Sequence, residues 1–297
     1  MTFLFRLSLA ASLAIAVSAV ALADKRDDET KKQKAAGEGY LKSAKLTAAF
    51  VETNDLLVYG TIPEDKAKPL AAAMQKSYAA AVKVLKVESS DKLWPGKLSA
   101  FVFADTRQYK SFSLLALKRS PERLETNTSD LKADVPYVLD GIVLGEKPTD
   151  MEVLVEASAL VAAAVLVKHT GSGGDKLPEW MQLGFGHAAF LRSEGNSARL
   201  TAHKAKVKAL YAKTQGKAFK VATVTGGQAN ADSELLGTSL AEYMAFGPGA
   251  AKFPMVLTGL RPTDEQPNPT FDTALAAAEW KWEALEPAWQ RWVTTGK

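Results

Sequence analysis

The stretch VLVEASALVAAAVLVKH, residues 153–169, decides how the rest of the chain is read. It is a run of small and branched apolar side chains carrying one carboxylate, Glu156. Thr149 followed three residues later by Glu152 has the pattern of a capping box, and Lys168, His169 and Gly171 have the pattern of a helix end, so one helix is predicted between them. Its apolar residues go all the way round the cylinder, which suits a central core helix or a membrane span. The run is too short to span a bilayer comfortably, so a buried core helix is expected. A Gly-rich loop, 171–174, then leads into LPEWMQLGFGHAAFLRSEG, 177–195, a second helix opening at Pro178. Gly184 and Gly186 lie inside it, each costing about 1 kcal/mol relative to Ala in a helix. Glycines there imply that another element packs very close.

Upstream the periodicity changes. LLVYG (56–60) and KLSAFVF (97–103) read as strands. Between them Ala67, Leu70, Met74, Tyr78, Ala81 and Leu85 recur at helical spacing after Pro63-Glu64, and a further helix is predicted with Tyr109 and Phe112 on one face. VPYVLD and GIVLG, divided by Asp140-Gly141, predict two short strands or a hairpin. From Thr149 onward the patterns are almost all helical. Strands first and helices after is the order of an α+β domain, and the absence of repeats or long Pro/Ser linkers points to one domain over 45–297.

Met1–Ala23 has the layout of a secretory signal: Arg6, an apolar middle, then Ala21-Leu22-Ala23 before Asp24-Lys25-Arg26-Asp27-Asp28. Cleavage after Ala23 is expected, giving an exported, periplasmic or extracellular protein with no membrane span. Residues 24–44 read as a charged, flexible arm. There is no cysteine, so an exported chain of this kind rests on its core rather than on disulfides, and a lipoprotein is excluded. The net charge of +4, which loses one positive charge with Arg6, permits contact with anionic polymers without requiring it. No nucleic-acid partner is expected.

The buried helix with Glu156 second in a five-residue window, the loop, and then L-P-x-W-x-x-x-G-x-x-x-x-F together resemble the peptidase MA-like domain of secreted bacterial proteins, a gluzincin-type zinc metallopeptidase fold. KLSAFVF followed by DTRQYKSF is similar to that family's sheet-and-helix lead-in, LTGLR (257–261) to a later helix, and LEPAWQRWV (285–293) to its C-terminal end; coverage runs over residues 45–295. The resemblance implies a zincin-like fold, with an N-terminal mixed sheet and helices followed by a helical half. In that family the first helix reads H-E-x-x-H and the second W-L-x-E-G. The pattern puts Val155 at the first histidine, Glu156 at the general base, Ala159 at the second histidine and Leu183 at the glutamate ligand.

In such a site two histidines and a glutamate hold zinc, whose bound water falls to a pKa of about 7 and loses its proton to the glutamate of the motif. Val, Ala and Leu offer a metal no lone pair. The resemblance therefore implies a pseudopeptidase without metal or cofactor, acting as a binding or scaffolding module, its former cleft repacked with hydrocarbon. Glu156 is then a relic with a raised pKa or a Lys partner. A peptide or protein is expected along a sheet edge at Gly141, Ile142, Val143 and Leu144.

Two other readings stay open. One is a working peptidase with Glu156 as general base and a rearranged site, a displaced metal held by Glu156, His187 and a further donor being one form of it. The other is an envelope-polymer binder built on the basic stretch 203–220, which requires its lysines on one exposed face. Ser158 lacks a nucleophile-elbow pattern, and GSGG (171–174) lacks the context of a phosphate loop. Leu285, Trp289, Trp292 and Val293 keep helical spacing and are expected to dock the last helix on the core, and Tyr243 is given no role.

Overall fold

A computed structural model describes residues 5–88, 93–122, 125, 127–141, 149–195, 197–226 and 231–296. The chain runs α1 (Phe5–Ala44), β1 (Ala49–Glu52), β2 (Leu56–Gly60), α2 (Glu64–Val84), β3 (Leu98–Val102), α3 (Thr106–Leu115), β4 (Asn127–Asp130), β5 (Tyr137–Asp140) and α4 (Asp150–Thr170). Helices follow to the end: α5 (Glu179–Ser193), α6 (Ala198–Thr214), α7 (Val221–Gly226), α8 (Ala231–Phe246), α9 (Phe253–Gly259), α10 (Phe271–Ala277) and α11 (Trp282–Thr295). This is a mixed α+β chain, mostly helical, with one five-stranded mixed sheet of order β1-β2-β3-β5-β4.

The sheet is parallel in its middle and antiparallel at both edges. β2 pairs parallel with β3 (Val58 opposite Ala100) and β3 parallel with β5 (Phe101 opposite Leu139). Parallel strands need both faces covered, and LLVYG and LSAFV are buried at every position. Alternate side chains feed two cores. Leu56, Val58, Leu98, Ala100 and Val138 face α2 and the C-terminal helices, while Leu57, Tyr59, Phe101, Tyr137 and Leu139 face α3 and the end of α1.

One strand lies where the apolar pattern is silent. β4, Asn-Thr-Ser-Asp, is an exposed edge strand pairing antiparallel with β5, Thr128 opposite Leu139. The hairpin of β5 is therefore made with the segment before it. Its turn is started by Asp130, whose carboxylate accepts from the backbone N–H of Lys132 (3.1 Å) and Ala133 (3.0 Å). Of the expected edge segment only Gly141 is described, outside any strand; Ile142, Val143 and Leu144 lie outside the described residues.

Residues 25–44, expected as a flexible arm, are the second part of α1 and dock on the sheet. Thr30, Gln33, Gly37, Leu41 and Ala44 form a buried stripe at spacings of three and four. Gln33 Oε1 accepts from Lys97 N at 2.7 Å, and Arg26 pairs with Asp55 at 3.1 Å and donates to Gly96 O. Gly37 sits where a Cβ would come within 2.6 Å of the Tyr59 ring. Charged residues alternate with this stripe because they occupy the helix's outer face. Among the described residues no helix is long and apolar enough to cross a membrane.

α4 has the capping box its sequence predicts. Thr149 Oγ1 accepts from Glu152 N (3.2 Å), Thr149 N donates to Glu152 Oε2 (2.6 Å), and Gly171 ends the helix at φ 66°. It is buried along 157–166, except for half-buried Leu160, but its first two turns are half-buried or exposed. α5 lies against it so closely that a methyl group at Gly186 would overlap the carbonyl oxygen of Ala159, and a Cβ at Gly184 would stand 2.5 Å from Gly237 O on α8. Glycines inside α5 thus let three helix backbones approach one another. At the far end Trp289 is fully buried and donates to Ser239 Oγ at 3.0 Å, fixing α11 on α8.

Candidate functional site

The close approach of α4 and α5 brings two predicted residues together. His187, one residue beyond Gly186, reaches Glu156, and because an ionised carboxylate only accepts, His187 Nε2 donates to Glu156 Oε2 at 3.2 Å. Burial lowers the pKa of His187, but the hydrogen bond and charge of Glu156, helped by Glu234, outweigh it, so the imidazole titrates above its ordinary value. The partner of Glu156 is this histidine and not a lysine. Its side chain keeps 55% of its exposure, so it is not the buried relic the sequence led one to expect.

Val155, Ala159 and Leu183 differ in burial. Ala159 is buried beneath Gly186, whereas Val155 and Leu183 are half-buried. Space is open beside Val155, though neither Ala159 nor Leu183 lines it. A cavity of about 590 Å³ opens there, walled by Val155, by His187 and Phe190 of α5, by one face of α6, and by Glu234 and Leu235 of α8. The α4–α5 backbones are already in contact at Gly186 and Ala159, so these helices cannot close further over that space. For a zinc ion the donor set does not fit. The positions that the resemblance assigns to the ligands carry only carbon, Glu156 and His187 are the donors in contact, and among the described residues no group of three or more His, Cys, Asp or Glu side chains could hold a metal.

Sequence reasoning missed a second carboxyl. Asp140 ends β5 and is 6% exposed; burial first, and then the negative charge of Glu156, hold its pKa well above the carboxylate range against a hydrogen bond from Gly141. Gly141 itself has no room for a side chain, since a Cβ would meet the Tyr109 ring at 2.7 Å. An aspartate at the end of an apolar strand was the available clue, and Asp-Gly read as a turn obscured it.

A buried ionic group also lies behind α5. Glu242 of α8, 1% exposed, contacts Arg192 Nη2 at 2.6 Å as an ion pair without hydrogen-bond alignment, and its Oε2 is 3.9 Å from His203 Nε2. Burial raises the pKa of Glu242 while Arg192 and Lys204 pull it down. His203 is pushed to about 4, by burial first and then by the positive charges of His187, Lys206 and Lys204. Tyr243, next to Glu242 in the chain, is core, packed on Trp280 and Trp292. The lysines of the basic stretch are exposed, and Val207 and Leu210 turn inward, so α6 is a wet-faced helix.

Compared with protein-family models, curated proteins and solved structures, the chain matches none.

Proposed function

We propose that this chain is a non-catalytic, zincin-like pseudopeptidase of the peptidase MA-like type, exported by its first 23 residues and working as a binding or scaffolding module for a peptide or protein. The observation that carries the reading is the chemistry beside the cavity: an accessible carboxylate, Glu156, is engaged by His187, while Val155, Ala159 and Leu183, which the resemblance puts at the metal-ligand positions, offer no lone pair. Without a metal, Glu156 faces water of pKa about 15.7, and no cation among the three carbon positions polarises a peptide carbonyl. The mixed sheet ahead of the α4–α5 pair supports the fold part of the reading, and a cavity left open supports binding over a merely structural role.

A second reading is a hydrolase with a rearranged site, favoured by the 3.2 Å contact of Glu156 with His187 and the nearby raised Asp140. A general peptidase assay on the full chain separates them. The pseudopeptidase reading expects no turnover above buffer for the parent protein or for Glu156→Gln. Turnover that is abolished in Glu156→Gln would contradict it.

A further inference from the structure

We infer that the cavity between α5, α6 and α8 seats a small zwitterion with an apolar body, the chemistry shared by a free apolar amino acid and a di- or tripeptide. The inference rests on the binding role proposed above and names what is bound.

Arg199, His203, Lys206, Leu210 and Lys213 follow one another at four, three, four and three residues, so they share one stripe of α6, and all of them line the cavity. Arg199 is tied to Glu194. Lys206 and Lys213 have no ion pair among the described residues. Lys206 already acts on His203, helping to keep that imidazole neutral, so the stripe holds more positive charge than its own side chains balance. An incoming carboxylate is what this wall lacks.

The opposite wall has the other sign. Glu234, with Asp232 beside it, lines the cavity from α8, and its charge is felt by His187. Between the two walls the surface is mostly hydrocarbon, from Val155, Phe190, Leu191 and Leu235, with His187 and Thr238 as its polar members. These three features exclude simpler ligands in turn. A polyanion would set its charges against Glu234 and Asp232, and a polycation against the lysines, where like charges brought together are unfavourable. A neutral apolar molecule would displace water from both walls and return no hydrogen bond or charge to them. A ligand carrying both signs on an apolar body satisfies all three. The volume, about 590 Å³, lies within the roughly 300–1,000 Å³ of small-molecule sites and leaves room for more than one residue.

The test is calorimetric titration of the full chain with leucine and with the tripeptide Leu-Ala-Leu, the latter also as its C-terminal amide and its N-acetyl form. Both free-termini ligands are expected to bind, the tripeptide more tightly if the cavity is filled by more than one residue. Amidation, Lys206→Gln and Lys213→Gln should each weaken the tripeptide by about tenfold, and Lys206→Gln should cost the amide little more. Acetylation and Glu234→Gln should weaken it similarly. Lys217→Gln, exposed and outside the cavity, should change nothing. All these positions are exposed, so thermal melts should match the parent and exclude misfolding. No binding of either free ligand at millimolar concentration, or equal binding of the free, amidated and acetylated tripeptides, would overturn the seat. Mass spectrometry of the same samples tells the two readings apart: intact peptide with no charge dependence overturns the seat alone, whereas charge-dependent binding with cleavage supports the seat and overturns the non-catalytic function.

Discussion

His203 makes the protein sensitive to acid in a defined window. Its folded pKa of about 4 lies below the ordinary 6.5 because the ring is buried and because His187, Lys206 and Lys204 oppose a further positive charge. The nearest carboxylate, Glu242 at 3.9 Å, does not reverse this, since Arg192 already occupies it at 2.6 Å. A histidine with a depressed folded pKa favours the folded state as the neutral ring. Its contribution is therefore complete above about pH 6.5 and is lost as pH falls through the window toward about 4. A separation of roughly 2.5 units at 1.36 kcal/mol each amounts to about 3 kcal/mol, of which about 2.5 kcal/mol is gone by about pH 4.5. The assay is urea denaturation of the parent and of His203→Gln at about pH 7 and about pH 4.5. Other groups titrate in both proteins, so the quantity of interest is how much more stability the parent loses. The expected excess is about 2.5 kcal/mol. Equal losses in the two proteins would refute the buried, neutral state of His203.

Three further perturbations probe the scaffold of the site. Gly186→Ala sets a methyl group against the carbonyl oxygen of Ala159, and overpacking of about 1–3 kcal/mol should exceed the roughly 1 kcal/mol that Ala gains in a helix; the melting temperature should fall, and the NMR titration of His187 should move down toward its ordinary value as the helices part. Arg192→Met leaves the Glu242 carboxylate buried without a partner, so stability at neutral pH should drop by about 3 kcal/mol in chemical denaturation, and adding Glu242→Leu should recover most of it. Gln33→Ala removes the acceptor of Lys97 N and should cost about 1–2 kcal/mol in the same assay; no change would mean that residues 25–44 are not docked in solution.

What could be read in the sequence was mostly local or periodic. The two ends of α4 were legible because each is marked locally, the start by Thr149 and Glu152 and the end by Gly171 directly after the last turn, and β2 and β3 because doubly covered parallel strands are nearly continuous apolar runs. The close helix approach was legible too, since two glycines in one helix have few other uses. The docked α1 was hidden because four of its five buried positions are Thr, Gln, Gly and Ala, chosen to fit a tyrosine ring and a backbone N–H, so the charges on its outer face dominate the composition. β4 has no apolar residue, because an edge strand needs only backbone pairing. In the site, Glu156 and His187 could be put together as donors of a displaced metal, but their direct hydrogen bond and the cavity beside it could not be read. Arg192 and Glu242 meet from helices far apart in the chain, and nothing in the residues around them records it, while Asp140 left only its place at the end of an apolar strand as a clue.

The most direct measurement is the metal content of the purified full chain, by elemental analysis after equilibration with zinc and removal of the excess. Val155, Ala159 and Leu183 supply no lone pair, and among the described residues no third donor completes a metal site with Glu156 and His187, so only trace, substoichiometric zinc is expected, unchanged in His187→Ala. One zinc per chain, lost in His187→Ala, would contradict the account.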